Sequence, residues 1–477
     1  MDTYSGTYNL IEEPWIPVLY HDGRTERVGI WNALKNAHEI RQIAASNPLD
    51  RASILRFMLA LLYWCKGNPS EDMDNSSIHA FPMEWFEKLR ENKELFNLLG
   101  EGKRFYQTAD ISKTDKQTVN YLIHEIPTGT NMWHFRHSND GVTGLCPACC
   151  AMGLIRLPLF TTMGGSGYTP GINNSPPIYA IPLGRSIFDT LLYSYVPINN
   201  SNLGSPAWET PIDHPPTGDV PFLLGLTWSP RKVWLDIPET PDYCFLCGNH
   251  TPLIRRFLYA GFGGSADPEN AKRKWIDPWI VTENDKAIKS SNPIKYLNAS
   301  VGQEMKFIAA LMKQHRNCRV NRIWVVGFAT DQNKYIEAME YMAPLPDTAD
   351  EDNINETISK IVAWRKETSD LQKKMRPKDI KRKFEDISSL VTSVSPDVEA
   401  KVIAHSKELL CGDQKAWEDA AEAYTPMMSA IARSLSPGYT TKAVQRQRQI
   451  ESVKPNMDIK ASETRKSRRK EKGNDSN

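Results

Sequence analysis

An α+β fold is predicted for this chain by a change of hydrophobic period along its length and by two spaced pairs of cysteines. Up to about residue 346, short β-branched and aromatic runs alternate with isolated helical stretches and many Gly and Pro breaks, the pattern of a large mixed α/β domain. Beyond Pro344-Leu345-Pro346 the apolar residues recur at helical spacing instead. With 477 residues the chain exceeds the size at which single cores stop growing, so more than one domain is expected. The expected organisation is a mixed α/β domain over 1–346, a four-helix bundle over 347–436 and a disordered basic tail over 437–477.

In chain order, residues 7–20 read as an extended opening segment that turns at Pro14 and Pro17. Asp50 reads as the N-cap of a helix through Cys65, with Leu55, Met58, Leu59 and Leu62 on one face. Residues 128–140 are polar and aromatic, the mark of a loop. From Leu159 to Pro182 the chain is rich in Gly, Pro, Asn and Ser, which excludes a long helix. The β-branched, aromatic run 318–328 reads as a strand ending at the polar turn Ala329-Thr330-Asp331-Gln332-Asn333. Four apolar faces follow, begun by Ile354, Ile380, Val398 and Trp417 and separated by Pro377, Ser395-Pro396 and Cys411-Gly412-Asp413. Short joints between amphipathic helices make a bundle. Pro426 inside the last helix is expected to kink or break it.

Cysteine placement carries the first chemistry. Cys146/Cys149 and Cys244/Cys247 form two Cys-x-x-Cys pairs in a chain with eight cysteines. A two-residue spacer lets the backbone curl round one ion, so the two pairs together suit a closed, tetrahedral, structural Zn²⁺ with four thiolates. Gly248 after the second pair suits a knuckle turn. Separate redox pairs and unligated buried thiols are the alternatives, and Cys150 offers a substitute for Cys149. A four-thiolate site has no open position, which argues against zinc catalysis.

Composition excludes other classes. Net charge is +1, yet residues 437–477 carry eleven Lys/Arg against five Asp/Glu, so the first 436 residues carry −5. Any nucleic-acid surface on the main body is therefore a local patch. The most apolar run, Ile54 to Cys65, contains Arg56 and is too short to span a bilayer. Met1-Asp2-Thr3-Tyr4 does not open a signal peptide, and the sparing cysteine usage fits a reducing cytoplasm. His134 and His137 have no carboxylate or metal motif beside them and read as ordinary loop histidines.

The order of these landmarks resembles the large subunit (CasA type) of the type I-E CRISPR Cascade surveillance complex. Asn9-Leu10 and Trp15-Ile16-Pro17-Val18 come first, then Gly129-Thr130-Asn131, the first cysteine pair, a glycine loop, the second cysteine pair, Gly327-Phe328-Ala329-Thr330-Asp331-Gln332 and a helical bundle. The resemblance runs from about Asn9 to Leu435. It implies a non-catalytic subunit that recognises the protospacer-adjacent motif (PAM) in double-stranded DNA, wedges the duplex open and helps recruit the helicase–nuclease. Its implied partners are the other Cascade subunits with crRNA, double-stranded target DNA and the helicase–nuclease, with no membrane. Gly164, Gly165, Ser166 and Gly167 match the family's minor-groove loop; glycine backbone approaches base edges closely. Gln332, with Asn333 beside it, falls where the family places its glutamine wedge. The basic run Lys272-Arg273-Lys274 falls near the family's PAM-reaching lysine, with Lys272 the first choice and a solvated basic run the alternative. Asn131, Trp133 and Phe135 lie in a stretch that resembles the family's loop docking onto the 5′ end of the crRNA assembly; buried core aromatics are the alternative for the two rings. The rival function is a zinc-containing nuclease or hydrolase acting on nucleic acid, against which no HNH-like, DEDD-like, HExxH, P-loop or Gly-x-Ser-x-Gly pattern is found.

Overall fold

A computed structural model describes residues 6–70, 78–111, 115–126, 144–162, 167–173, 177–198, 202–262, 273–275, 277–280, 282–283, 286–287, 322–331, 334–344, 415 and 440–451. The loop expected over 128–140 and the four expected bundle helices lie outside the described residues. The chain divides into two compact units: Met1–Pro293 with Trp324–Met342, and Ile294–Ile323 with Ala343–Asn477.

The first unit is built round one buried helix, Pro48–Lys66. Asn47 caps it: the backbone there is extended and Oδ1 accepts from Leu49 N–H at 2.8 Å, with Pro48 in the first turn where no N–H is missed. This corrects the sequence reading of Asp50 as cap. Asp50 lies within the first turn and is buried, where it pairs with Arg156. The expected face of Leu55, Met58, Leu59 and Leu62 is buried, but so is every other residue from Leu49 to Trp64 except Arg51. Such a helix is enclosed by protein all round. Helices Pro147–Phe160, Ile187–Ser194 and Phe222–Thr227 pack on it, and Phe57 meets Trp15, Phe105 and Trp208 edge-on or tilted at 5.5–6.0 Å between ring centroids.

Ile16–Tyr20 is the middle strand of an antiparallel sheet between Thr25–Val28 and Ile40–Ile43. The turn of the opening segment falls over residues 10–14, so Pro14 is placed as expected and Pro17 is not. Pro17 stands in the strand opposite Arg27, where its carbonyl accepts from Ala44 N–H at 2.8 Å. A proline's φ tolerates extended backbone, and here the ladder uses its carbonyl.

A second sheet orders Lys334–Pro344, Arg322–Asp331 and Tyr179–Pro182. The strand expected over 318–328 is therefore shifted, starting at Arg322 and running to Asp331. Ala329, Thr330 and Asp331 continue the strand instead of turning, because the returning strand pairs with it and leaves two residues, Gln332 and Asn333, between the two.

In the second unit, Thr441–Glu451 is helical, with Val444 N–H donating to the Thr440 carbonyl at 2.9 Å. The expectation of disorder from residue 437 fails for this segment. Its Lys, Arg, Gln and Ala residues are strong helix formers, and high charge alone does not prevent a helix.

Candidate metal centre and nucleic-acid interface

Cys146 is the N-cap of the Pro147–Phe160 helix, and Cys149 falls in its first turn. The other pair sits at the tip of the hairpin Pro241–Tyr243/His250–Pro252. There Cys244 N–H donates to Asn249 carbonyl at 2.9 Å, Gly248 N–H donates to Cys244 carbonyl at 2.8 Å, and Gly248 adopts φ +70°, which glycine accepts without strain. Backbone ties bring the two halves together. Leu145 and Ile254 exchange hydrogen bonds at 2.9 and 2.8 Å, and Phe245 N–H reaches Gly144 carbonyl at 3.1 Å.

The Sγ atoms of Cys146, Cys149, Cys244 and Cys247 lie within 4.8 Å of one another. Cys146 and Cys247 are 3.7 Å apart, close to the ~3.8 Å edge of a tetrahedron with metal–sulfur bonds of about 2.3 Å. Cys146 N–H also points at Cys244 Sγ, 3.3 Å away. The helix N-terminus adds its positive dipole end to two of the sulfurs. Hydrogen bonding to Cys146 pulls the Cys247 thiol well below its ordinary range, and hydrogen bonding to the same residue pushes Cys149 well above it. Four sulfurs this close cannot all be thiolates without a cation among them. The cluster therefore fits a metal ion. Cys150 is not a substitute ligand: its thiol faces the Leu145 carbonyl at 4.0 Å.

One contributor was not legible in the sequence. Arg27 Nη2 lies 4.0 Å from Cys149 Sγ. Burial lowers the guanidinium's pKa, but the charges of Cys149, Cys247 and Cys146 outweigh it and hold Arg27 firmly protonated. It offsets part of the negative charge of a four-thiolate centre, and no spacing rule links residue 27 to residue 149.

The candidate DNA-contacting residues are only partly described. Gly164, Gly165, Ser166, Lys272, Gln332 and Asn333 lie outside the described residues, as do Asn131, Trp133 and Phe135. Gly167 is described, with φ +79°. Arg273–Lys274 pairs in parallel with Gly218–Asp219. Lys274 is exposed and its Nζ lies 3.5 Å from Asp219, a surface pair that holds the lysine by no more than ~1 kcal/mol and leaves it available to a phosphate. Trp275, next in sequence, packs against Gly225 and lies 5.4 Å from the Arg56 guanidinium.

The buried helix joins the supports of these segments. Asp50 meets Arg156 of the cysteine-bearing helix, and Arg156 also bonds Glu125 at 2.8 Å. Arg56 pairs at 2.7 Å with Asp277, three residues beyond Lys274, and Asn173 donates to the same carboxylate at 3.1 Å. Arg51 pairs with Glu340 on the 322–344 hairpin, whose Trp324 indole donates to Glu340 at 2.8 Å.

The family model of the CRISPR-associated protein Cse1 matches residues 9–449. The chain belongs to the Cse1 family. A CasA/Cse1 protein of Thermus thermophilus is 26% identical over 371 residues, 71% of each chain. The solved CasA of that organism superposes with a TM-score of 0.68 at 19% identity, covering 94% of this chain and 98% of the other. A chain of a CRISPR RNA-guided surveillance complex does so with a TM-score of 0.61 at 15% identity, covering 94% and 99%. The Cse1 match extends past Leu435, where the resemblance was expected to end, and takes in most of the Thr441–Glu451 helix. No helix among the described residues of this Cse1 chain is long and apolar enough to cross a membrane.

Proposed function

We propose that this chain is the non-catalytic large subunit of a crRNA-guided type I-E surveillance complex, one that recognises the PAM in double-stranded DNA and starts its opening. The observation that carries this reading is the Cse1 match over residues 9–449, nearly the whole chain. The fold of a surveillance-complex chain over 94% of this one supports it.

In this reading the four-cysteine cluster holds one Zn²⁺ that ties the 146–149 corner to the 244–247 knuckle. Closed by four protein ligands, that ion is structural. Gly164, Gly165, Ser166 and Gly167 bring bare backbone to the minor groove, where A·T and G·C differ little, so PAM reading is permissive. Lys272, Arg273 and Lys274 contact phosphates and position the duplex. Gln332, between the two strands of its hairpin, enters the base stack beside the PAM, with Asn333 adjacent. Unstacking one step costs a few kcal/mol, which the inserted amide offsets by bonding the bases it separates. Asn131, Trp133 and Phe135 meet the crRNA end or a neighbouring subunit. The segment 347–436 is a helical bundle that faces protein partners and the helicase–nuclease, and the complex works in the cytoplasm.

Reconstitution tests the whole reading. A complex of the other subunits with crRNA is expected to bind PAM-containing duplex tightly only when this chain is added, with no cleavage of DNA by the chain and Mg²⁺ or Mn²⁺ alone. Metal-dependent cleavage that one carboxylate substitution abolishes would instead establish the nuclease reading.

A further inference from the structure

Arg231 has no place in any sequence motif, yet it is 4% exposed and makes four hydrogen bonds. Nη2 donates to the Thr162 carbonyl at 2.8 Å, and Nη1 donates to the carbonyls of Thr169 at 2.5 Å and Pro230 at 2.8 Å. Nε donates to the Tyr259 hydroxyl at 2.9 Å. The rings of Tyr168 and Tyr259, stacked 6.0 Å apart, flank the guanidinium at 5.1 and 5.8 Å. Thr162 and Thr169 bracket the glycine segment. The chain thus enters and leaves that segment through two carbonyls held on one planar cation.

This is an unusual use of a buried charge. The other buried arginines among the described residues, Arg56 and Arg156, are neutralised by Asp277 and by Asp50 with Glu125. Among the described residues Arg231 has no carboxylate partner, so carbonyl dipoles, the Tyr259 hydroxyl and the two tyrosine rings offset its desolvation. A guanidinium presents its donors in a fixed fork, which sets both the spacing and the relative orientation of the two carbonyls it binds. Its own backbone leads into the strand Lys232–Leu235, the edge of a sheet with Arg256–Ala260 and Lys116–Thr118, so the fork is fixed to a rigid element. A second contact acts at the same place. Gly261 approaches the Gly167 carbonyl so closely that a Cβ there would collide with it.

We propose that Arg231 is a positioning residue for double-stranded DNA recognition: it fixes the Thr162 and Thr169 stems so that the glycine backbone between them meets the minor groove in one geometry. This rests on the reading of Gly164, Gly165 and Gly167 as the groove-reading segment. Arg231 touches no base in this mechanism; it acts through the loop.

The test uses the complete complex carrying Arg231→Lys, Tyr259→Phe or Gly165→Leu. Affinity is measured for a PAM-containing duplex and for the same duplex with the PAM replaced, alongside subunit assembly and thermal melting. Arg231→Lys keeps the charge but loses the fork, and is expected to assemble and to bind the PAM-less duplex unchanged. Its preference for the PAM should fall about tenfold, as for losing a charged hydrogen bond. Tyr259→Phe keeps the ring stack and removes one acceptor, with an expected loss of about threefold. A purely structural role would instead lower melting and assembly and leave the PAM preference of the assembled fraction intact, which overturns the proposal. If Arg231→Lys does not fold, an unchanged preference in Tyr259→Phe overturns it equally. Gly165→Leu separates the two levels. Normal PAM binding by that variant removes the groove reading and the clamp with it; impaired binding beside normal Arg231→Lys and Tyr259→Phe variants removes the clamp alone.

Discussion

Cys247 is the least buried of the four clustered cysteines, so its replacement disturbs the core least. Because the unfolded chain does not preform the site, binding energy there is folding energy. Cys247→Ser is expected to cut zinc from about one equivalent per chain to well below half, and to lower melting and soluble yield together. Unchanged stability in a metal-free protein would refute a structural ion. A second residue gives the fold a pH dependence. Burial, and then the positive charge of Arg156, hold His124 neutral, with its pKa lowered to about 3. An unfolded histidine titrates near 6.5, so between those values the unfolded state binds a proton that the folded state refuses. Stability is therefore full above pH ~6.5 and falls with pH below it, by up to about 1.4 kcal/mol per unit. Urea titrations at pH 7.5 and 5 are expected to show a loss about 2 kcal/mol larger in the native sequence than in His124→Gln. Equal losses would mean that His124 charges within the fold. Neither Arg27 beside the cysteines nor Arg231 between the Thr162 and Thr169 carbonyls was legible in the sequence. Each acts across a long separation on an atom type, a sulfur or a carbonyl, that leaves no periodic trace.

Elements read from local pattern were found where their signal was local. The two-residue cysteine spacing marked the four residues whose sulfurs cluster, because such a spacer curls the backbone round one point at each pair. The central helix was placed, but its cap was misassigned by three residues: Asn47 and Asp50 are both capping types, and the decisive feature was the proline between them. The 322–331 strand ran past its expected end because pairing with 334–344 outweighs the turn preference of Asp331. That hairpin is the element to which the proposed function assigns the opening of DNA. Its two strands, of ten and eleven residues, flank Gln332 and Asn333 in the sequence. At ~3.3 Å per residue, a small tilt at the base displaces the tip by several times more than the base. The contacts of Glu340 with Arg51 and Trp324 oppose that tilt. Gln332→Ala is expected to slow R-loop initiation on intact duplex, and Glu340→Ala to do so less severely, because protein help tips a nearly balanced strand exchange. Both should bind normally to a target already unpaired over its first few bases. Equal loss on intact and pre-opened DNA would leave Gln332 as a turn residue.

At the scale of the whole molecule, the groups to which the proposed function assigns recognition are concentrated in one unit. The cysteine cluster, Arg231, Lys274 and the 324–342 part of the hairpin all fall within Met1–Pro293 with Trp324–Met342. The central helix contributes Asp50, Arg51 and Arg56 to three separate charge pairs within it, and at the most buried of them loss of Asp277 would leave the Arg56 guanidinium uncompensated at ~3–5 kcal/mol. The second unit includes Ile294–Ile323 as well as everything after Ala343, so a truncation at 346 removes only part of it. The sequence pattern could mark the change of period at 346 but could not show that an earlier segment joins the later one, since such joining is a long-range property. If residues 347–436 form the proposed bundle and it serves protein neighbours, replacing charged residues of that segment is a cleaner test than deletion, because charged side chains are seldom buried and the chain keeps its length. Such variants are expected to retain the ratio of PAM to non-PAM binding while weakening assembly or helicase–nuclease recruitment by at least several-fold, as loss of central interface contacts does. The readouts are pull-down of the remaining subunits and nuclease-dependent degradation of target already bound. Loss of PAM preference with normal assembly and recruitment would reverse the roles assigned to the two units.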